Sequence, residues 1–177
     1  MKTLPLVLIA FLASLASASA AQKPNILLIL ADDLGYGDVN CYNDRSKVAT
    51  PHLDRLAREG MRFTDAHSPA TVCTPTRYSL MTGQMAFRVP NGGTVFQGAG
   101  GPSLIAPGRL TLPAMLRKQG YATAAVGKWH VGLTFRDQAG NPIHSGKPEE
   151  AKRIDFSRRV EGGPVDPGFD KFFGTAC

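Results

Sequence analysis

Apolar runs alternate along this chain with polar, glycine- and proline-rich stretches, and their periods predict strands alternating with helices. Asn25 to Leu30 reads Asn-Ile-Leu-Leu-Ile-Leu, a continuous apolar run bounded by Pro24 and by Ala31-Asp32-Asp33. A run of that length predicts a strand buried on both faces, as in a parallel sheet covered by helices. Thr50 then stands as a helix N-cap, with Pro51 at the first helical position, Leu53, Leu56 and Ala57 as its apolar positions, and Gly60 as the stop. Met61 to Ala66 predicts a second strand. The same grammar returns at Thr111 and Pro113, with Leu112, Met115 and Leu116 on one face, Gly120 closing the helix, and Tyr121 to Val126 predicting a third strand. Strand, helix and strand in this order imply an α/β fold whose mostly parallel sheet is flanked by helices and joined by right-handed crossovers.

Two stretches break the pattern and predict long surface loops, the places where substrate contacts often sit. Asn91 to Gly108 is rich in Gly and Pro, and Arg136 to Gly168 is polar and dense in charges of both signs. Gly98-Ala99-Gly100-Gly101 lacks the Lys-Ser/Thr ending of a nucleotide-binding loop and does not join a strand to a helix, so it predicts a flexible loop. Neither an internal repeat nor a coiled-coil heptad is present.

Residues 1–20 form an address rather than part of the fold. Lys2 precedes an apolar run from Leu4 to Leu15 that ends in Ala16-Ser17-Ala18-Ser19-Ala20, the pattern of a signal peptide cut near Ala18 or Ala20. The run is short for a membrane span and no Cys stands at the cut, so the expectation is a secreted or periplasmic protein without stable membrane insertion. The 43% apolar and 19% charged content of the whole 177-residue chain is ordinary for one globular core. A net charge of +6 suits an anionic substrate but is common in proteins that bind nothing acidic, and no nucleic-acid partner is expected. Cys41, Cys73 and Cys177 are too few and too scattered for a disulfide framework, and their spacing fits no zinc site.

Candidate chemistry starts at Asp32 and Asp33, just past the end of the first predicted strand, where open α/β sheets build their sites. Adjacent carboxylates suit a hard cation, Ca²⁺ or Mg²⁺, although the dipeptide alone reads more simply as a turn cap. Cys73-Thr74-Pro75-Thr76-Arg77-Tyr78-Ser79-Leu80-Met81-Thr82-Gly83 carries more information, because it resembles the sulfatase signature Cys-x-Pro-x-Arg followed by Thr-Gly. Cys73, Pro75, Arg77, Thr82 and Gly83 match it, and Thr76 stands where Ser is most often found. Lys23-Pro24-Asn25-Ile26 through Ala31-Asp32-Asp33-Leu34-Gly35-Tyr36-Gly37-Asp38 is similar to that family's first strand and metal-binding turn. Gly127-Lys128-Trp129-His130-Val131-Gly132 is similar to its second signature, and Gly168-Phe169-Asp170-Lys171-Phe172-Phe173-Gly174 continues the likeness. Taken singly, a Cys, a Lys at a strand end or a His after Trp reads as packing; three segments in matching order across residues 23 to 132 reverse that reading.

The resemblance implies the N-terminal part of an alkaline-phosphatase-like sandwich over residues 23–177 and a formylglycine-dependent sulfatase that cleaves sulfate monoesters. It implies that Cys73 is oxidised to formylglycine by a maturation enzyme that reads Pro75 and Arg77. It also implies that Asp32, Asp33 and the oxidised Cys73 face a Ca²⁺ or Mg²⁺ ion. Arg77 would orient the formylglycine diol, Lys128 neutralise the sulfate and diol oxygens, and His130 take the proton from the second hydroxyl. Family members are longer, and their further metal ligands and leaving-group residues come downstream of this chain, so the expectation is an incomplete catalytic domain with no useful turnover alone. A phosphonate or phosphate ester hydrolase of the same superfamily and a non-catalytic binder of sulfated polymers stay open as alternatives. A metal phosphatase is disfavoured, since such relatives place Thr or Ser where Cys73 stands.

Overall fold

The computed structural model describes residues 23–96, 101–144 and 147–176, which fall into two compact units divided between Ala49 and Thr50. The predicted signal peptide, most of the glycine-rich loop at residues 98–101 and Cys177 lie outside the described residues.

In the first unit, the apolar run at residues 25–30 is not a strand. It belongs to no hydrogen-bonded ladder among the described residues, and Leu27 and Ile29 are 85% and 78% exposed. The side chains favour a strand, but a strand also needs a neighbour for its backbone groups, and no described segment supplies one. Order in this unit comes instead from the turn that follows. A short 3-10 helix at Tyr36–Asp38 is closed by Asp38, whose Oδ2 accepts from the Gly35 amide at 2.9 Å. Asn43 donates to the Gly37 carbonyl at 2.8 Å, Ser46 to that of Asp38 at 2.8 Å, and the Tyr36 and Tyr42 rings lie 4.5 Å apart.

The second unit holds four α-helices, a 3-10 helix at Ala86–Arg88 and four strands among the described residues. Helix α1 (Pro51–Glu59) starts and stops where Pro51 and Gly60 predict, and the Gly60 amide donates to the Leu56 carbonyl at 2.9 Å. Thr50 occupies the cap position, but its hydroxyl donates to the Asp54 carboxylate at 3.1 Å and makes no capping bond to the backbone. The second predicted strand is absent: residues 61–66 carry no ladder, and Met61 and Phe63 are exposed. Helix α2 (Cys73–Thr82) buries Thr74, Pro75, Tyr78, Ser79 and Thr82. It ends at Gly83, whose φ of 64° is the left-handed conformation that a C-cap requires and glycine adopts freely. Helix α3 (Leu112–Lys118) is capped as the sequence predicts, with the Ala114 amide donating to the Thr111 hydroxyl oxygen at 3.3 Å.

Strand β1 (Ala124–Lys128) starts three residues later than predicted and pairs in parallel with β4 (Lys171–Thr175), Ala124 opposite Lys171 and Lys128 opposite Thr175. This parallel pair and the helices make the mixed α/β architecture that the sequence predicts. The charged stretch after Arg136 is more ordered than a loop. It contains an antiparallel pair, β2 (Phe135–Arg136) with β3 (Pro142–Ile143), and the short helix α4 (Pro148–Ala151). Charges that read as a solvated surface in the sequence are paired here: Arg136 grips Glu161 through two bonds of 2.9 and 2.8 Å, and Arg153 bonds Asp137 at 2.7 Å. The core lies between these elements, where Tyr78, Ala86, Ile105, Trp129, Val131 and Leu133 pack together. Trp129 anchors it, its ring edge-on to Phe169 at 6.5 Å and its Nε1 donating to the Gly132 carbonyl at 3.0 Å.

Candidate functional site

Helix α2 begins at Cys73, and β1 ends at Lys128, so two elements far apart in sequence deliver their terminal residues to one place. Lys128 Nζ lies 3.4 Å from Cys73 Sγ. One helical turn past Cys73, Arg77 donates from Nη1 to the Lys128 carbonyl at 2.6 Å. The Cys side chain is half-buried, at the first residue of a helix whose leading amides and dipole favour negative charge. A nucleophilic or anion-binding group at position 73 therefore sits beside an ammonium group and at a positive helix end.

His130 follows two residues after Lys128. Strand side chains alternate between faces, and after Lys128 at the Cys73 thiol the next residue, Trp129, enters the core. At His130 the backbone leaves strand geometry, with φ at 54°. Its amide donates to the Ala176 carbonyl at 2.9 Å, extending the contact between the β1 and β4 segments by two residues. The ring is buried, only 6% of the residue being exposed, and Nε2 lies 2.6 Å from the Phe96 carbonyl oxygen. Nδ1 is enclosed and has no hydrogen-bond partner among the described residues. Gly132 completes the segment in a left-handed conformation, and a Cβ there would stand 2.4 Å from the Pro102 carbonyl oxygen.

Asp32 and Asp33 belong to the first unit, in the bend after the apolar run, with Asp33 in the left-handed region at φ 57°. Asp tolerates that conformation better than most residues, which fits the turn predicted there. Their paired carboxylates offer the hard oxygen donors that Ca²⁺ and Mg²⁺ prefer. Among the described residues, however, no group of three or more His, Cys, Asp or Glu side chains gathers to hold an ion, so these residues do not complete a metal site.

Two contributors escaped the sequence reading. Thr74, fully buried, accepts a long hydrogen bond of 3.4 Å from the Phe96 amide, and the Phe96 carbonyl meets His130. Thr74 occupies a variable position of the motif, and a backbone carbonyl leaves no mark in a sequence. A separate cavity of about 400 Å³ lies between Phe135 and Phe172, its lining including the paired Arg159 and Asp166. None of Cys73, Arg77, Lys128 or His130 lines it.

Over residues 24–176 the chain matches the family model for sulfatases. An N-acetylgalactosamine-6-O-sulfatase of Bacteroides thetaiotaomicron is 48% identical over 122 residues, covering 64% of this chain and 22% of that protein. A steryl-sulfatase of Mus musculus is 38% identical over 163 residues, covering 88% of this chain and 22% of the relative. A solved structure from work on the metabolism of multiple glycosaminoglycans by Bacteroides thetaiotaomicron superposes with a TM-score of 0.67 at 39% identity, covering 86% of this chain and 28% of that one. The chain thus spans less than a quarter of the length of the two curated relatives.

Proposed function

Because this chain belongs to the sulfatase family, we propose that it carries the sulfate-handling half of a sulfuric ester hydrolase, with Cys73 oxidised to formylglycine as the nucleophile. Its α/β architecture is the alkaline-phosphatase-like fold of its structural neighbours. The observation that carries the reading is the meeting of Cys73, Arg77 and Lys128: a nucleophile position at a helix start, 3.4 Å from an ammonium group.

The chemistry explains why a plain hydroxyl would not serve. A serine attacking a sulfate ester would end as a stable sulfated serine needing a second hard hydrolysis. A hydrated aldehyde supplies two geminal hydroxyls: one attacks sulfur as the alcohol leaves, and loss of a proton from the other expels sulfate with its electron pair and restores the aldehyde. Lys128 neutralises negative charge on the oxygens that replace the sulfur of Cys73. Arg77 orients those oxygens while its bond to the Lys128 carbonyl fixes both cations relative to each other. His130 accepts the proton of the second hydroxyl, a task suited to imidazole near neutral pH. Asp32 and Asp33 would offer two carboxylates to a Ca²⁺ or Mg²⁺ ion, and the chemistry that such an ion would supply is that of a Lewis acid. Among the described residues no group of three or more His, Cys, Asp or Glu gathers to complete such a site.

The names of the relatives bear on substrate. One acts on an N-acetylgalactosamine 6-sulfate and the other on a steryl sulfate, yet both align with this segment. What they share is the sulfate, so the segment handles the sulfate end and the alcohol is chosen elsewhere. Partners of the reading are a sulfate-ester substrate and a formylglycine-generating enzyme that uses an external oxidant. Export to the periplasm or the exterior fits the N-terminal pattern. Among the described residues no helix is long and apolar enough to cross a membrane.

Mass spectrometry of the tryptic peptide containing Cys73, from protein made beside a sulfatase-maturing enzyme, tests the proposal. Conversion of the thiol to an aldehyde is the expected result. A fully alkylatable thiol in such a host overturns it and leaves a binder of sulfated polymers. Greater turnover of an aryl phosphodiester than of an aryl sulfate by catalytically competent, converted protein would reassign it to phosphate ester hydrolysis.

A further inference from the structure

The environment of His130 contains more than a base in need of a role. Its Nε2 lies 2.6 Å from the Phe96 carbonyl oxygen, an atom that can only accept, so that nitrogen must carry the proton of the bond. A neutral imidazole has one N–H, and fixing it on Nε2 leaves the lone pair on Nδ1. Nδ1 is the buried atom with no partner among the described residues. Buried polar atoms are nearly always bonded, and an exception at a residue with a left-handed backbone is the pattern of a strained functional group.

Phe96 is itself held. Its amide donates to the hydroxyl oxygen of Thr74, the buried neighbour of Cys73, at 3.4 Å. Its ring lies where side chains at Gly101 and Gly132 would otherwise stand, with a Cβ on Gly132 coming within 3.0 Å of Phe96 Cε2 and one on Gly101 within 2.5 Å of Cδ1. The main chain of one residue therefore connects the start of α2 to the His130 ring.

We propose that the Phe96 main chain, tethered by the Thr74 hydroxyl, is a positioning element that locks neutral His130 in its Nε2–H tautomer and makes Nδ1 the nitrogen that receives the proton. The choice of Nδ1 as acceptor rests on the reading of His130 as the base that releases sulfate. The tautomer lock is independent of turnover. The second hydroxyl gives its proton to Nδ1 while Nε2–H stays bonded to the Phe96 carbonyl, so the ring passes through its doubly protonated form without reorienting. Thr74 touches no reacting atom; it acts through Phe96.

Long-range proton–nitrogen NMR on the ¹⁵N-histidine-labelled full chain reads the tautomer directly, with the His130 signals identified by their loss in His130→Asn. A single neutral form protonated at Nε2 is expected. A ring protonated at Nδ1, or one averaging between tautomers as free histidine does, overturns the proposal. Thr74→Val keeps the shape of the side chain and removes the hydroxyl, and should convert the single form into an averaging mixture, whereas Thr74→Ser should restore it. A lock that survives Thr74→Val overturns the part assigned to Thr74. If instead the lock is present and His130→Ala leaves sulfate release unchanged in catalytically competent, converted protein, the reading of His130 as the base fails, and with it the assignment of Nδ1 as acceptor.

Discussion

Arg77 and Lys128, fifty-one positions apart, are joined by a 2.6 Å hydrogen bond from guanidinium to main-chain carbonyl. The bond ties the first turns of α2 to the end of β1 through the same residues that flank the nucleophile position. Arg77 thus combines two tasks, holding Lys128 in place and presenting positive charge, and a planar group with several donors can do both where an ammonium group cannot.

Arg77→Lys should therefore not behave as a conservative change. In catalytically competent, converted protein, the loss of one fixed donor at a developing charge predicts a fall in kcat of about 10²–10³-fold. Because Arg77 also belongs to the motif that the proposed maturation would read, the aldehyde content of each preparation must be measured by mass and the rate expressed per converted site. Unchanged kcat on that basis would reduce Arg77 to a maturation signal.

Two glycines in left-handed conformations separate backbone strain from steric contact. Gly83 at the end of α2 has φ 64° and open space where a Cβ would stand, so Gly83→Ala should cost roughly 1–2 kcal/mol, the conformational term alone. Gly132 has φ 88° and would place a Cβ 2.4 Å from a backbone oxygen that has no easy way to move. Gly132→Ala should destabilise by clearly more than Gly83→Ala in denaturant unfolding. Equal costs would mean that the segment after His130 yields without resistance.

What the sequence made legible follows the range of the interactions involved. Helices α1 and α3 are bracketed by Thr-Pro and Gly signals that act within a few residues, and they form where those signals stand. Cys73, Arg77, Lys128 and His130 stood out through motif likeness, and the structure brings Cys73 and Arg77 each to Lys128. The runs at residues 25–30 and 61–66 have side chains that favour strands, but pairing is a property of two segments and cannot be read from one. The pair β2 and β3 escaped for the opposite reason: its two-residue strands carry no period, and a link such as Arg136 to Glu161 spans twenty-five residues. The Phe96 carbonyl was invisible because every residue has one.

Acid should loosen the charged segment in a definite window. The Arg153 guanidinium bonded to Asp137, helped by the Asn141 amide at 2.8 Å, lowers the Asp137 carboxyl from 3.8 to about 2. A folded-state value below the unfolded one means that this contribution is fully present above the unfolded pKa and is lost as pH falls from about 4 toward 2. Asp155, Glu161 and Asp170 are lowered too, by bonds led by the Ser157 hydroxyl, the Arg136 guanidinium and the Thr123 amide respectively, so the whole protein should lose stability in that range. Arg153→Met should have a lower melting temperature than wild type at about pH 6, and the gap should narrow as pH drops below about 4. A gap independent of pH would show that Arg153 stabilises through packing rather than through Asp137.

The most specific role in the proposed mechanism falls to His130, and it would separate the two halves of the reaction. In that mechanism attack on sulfur uses charge supplied by Arg77 and Lys128, whereas expulsion of sulfate needs a base at the second hydroxyl, and an enclosed imidazole with one nitrogen unpartnered among the described residues suits that task. In catalytically competent protein, His130→Ala should therefore slow sulfate release more than the first departure of the alcohol. General-base assistance is typically worth about 10²–10⁴-fold, so steady-state turnover should fall by that order while an initial burst of alcohol survives. Rapid-quench kinetics, with the mass of the Cys73 peptide measured at the end of the burst, would show a peptide heavier by one sulfate group. Turnover that falls with neither a burst nor a heavier peptide would place His130 in the first step or in packing alone. Because the ring also holds the Phe96 carbonyl, His130→Gln, whose amide can donate there but is a far weaker base, should reproduce the kinetic defect with less loss of stability than His130→Ala.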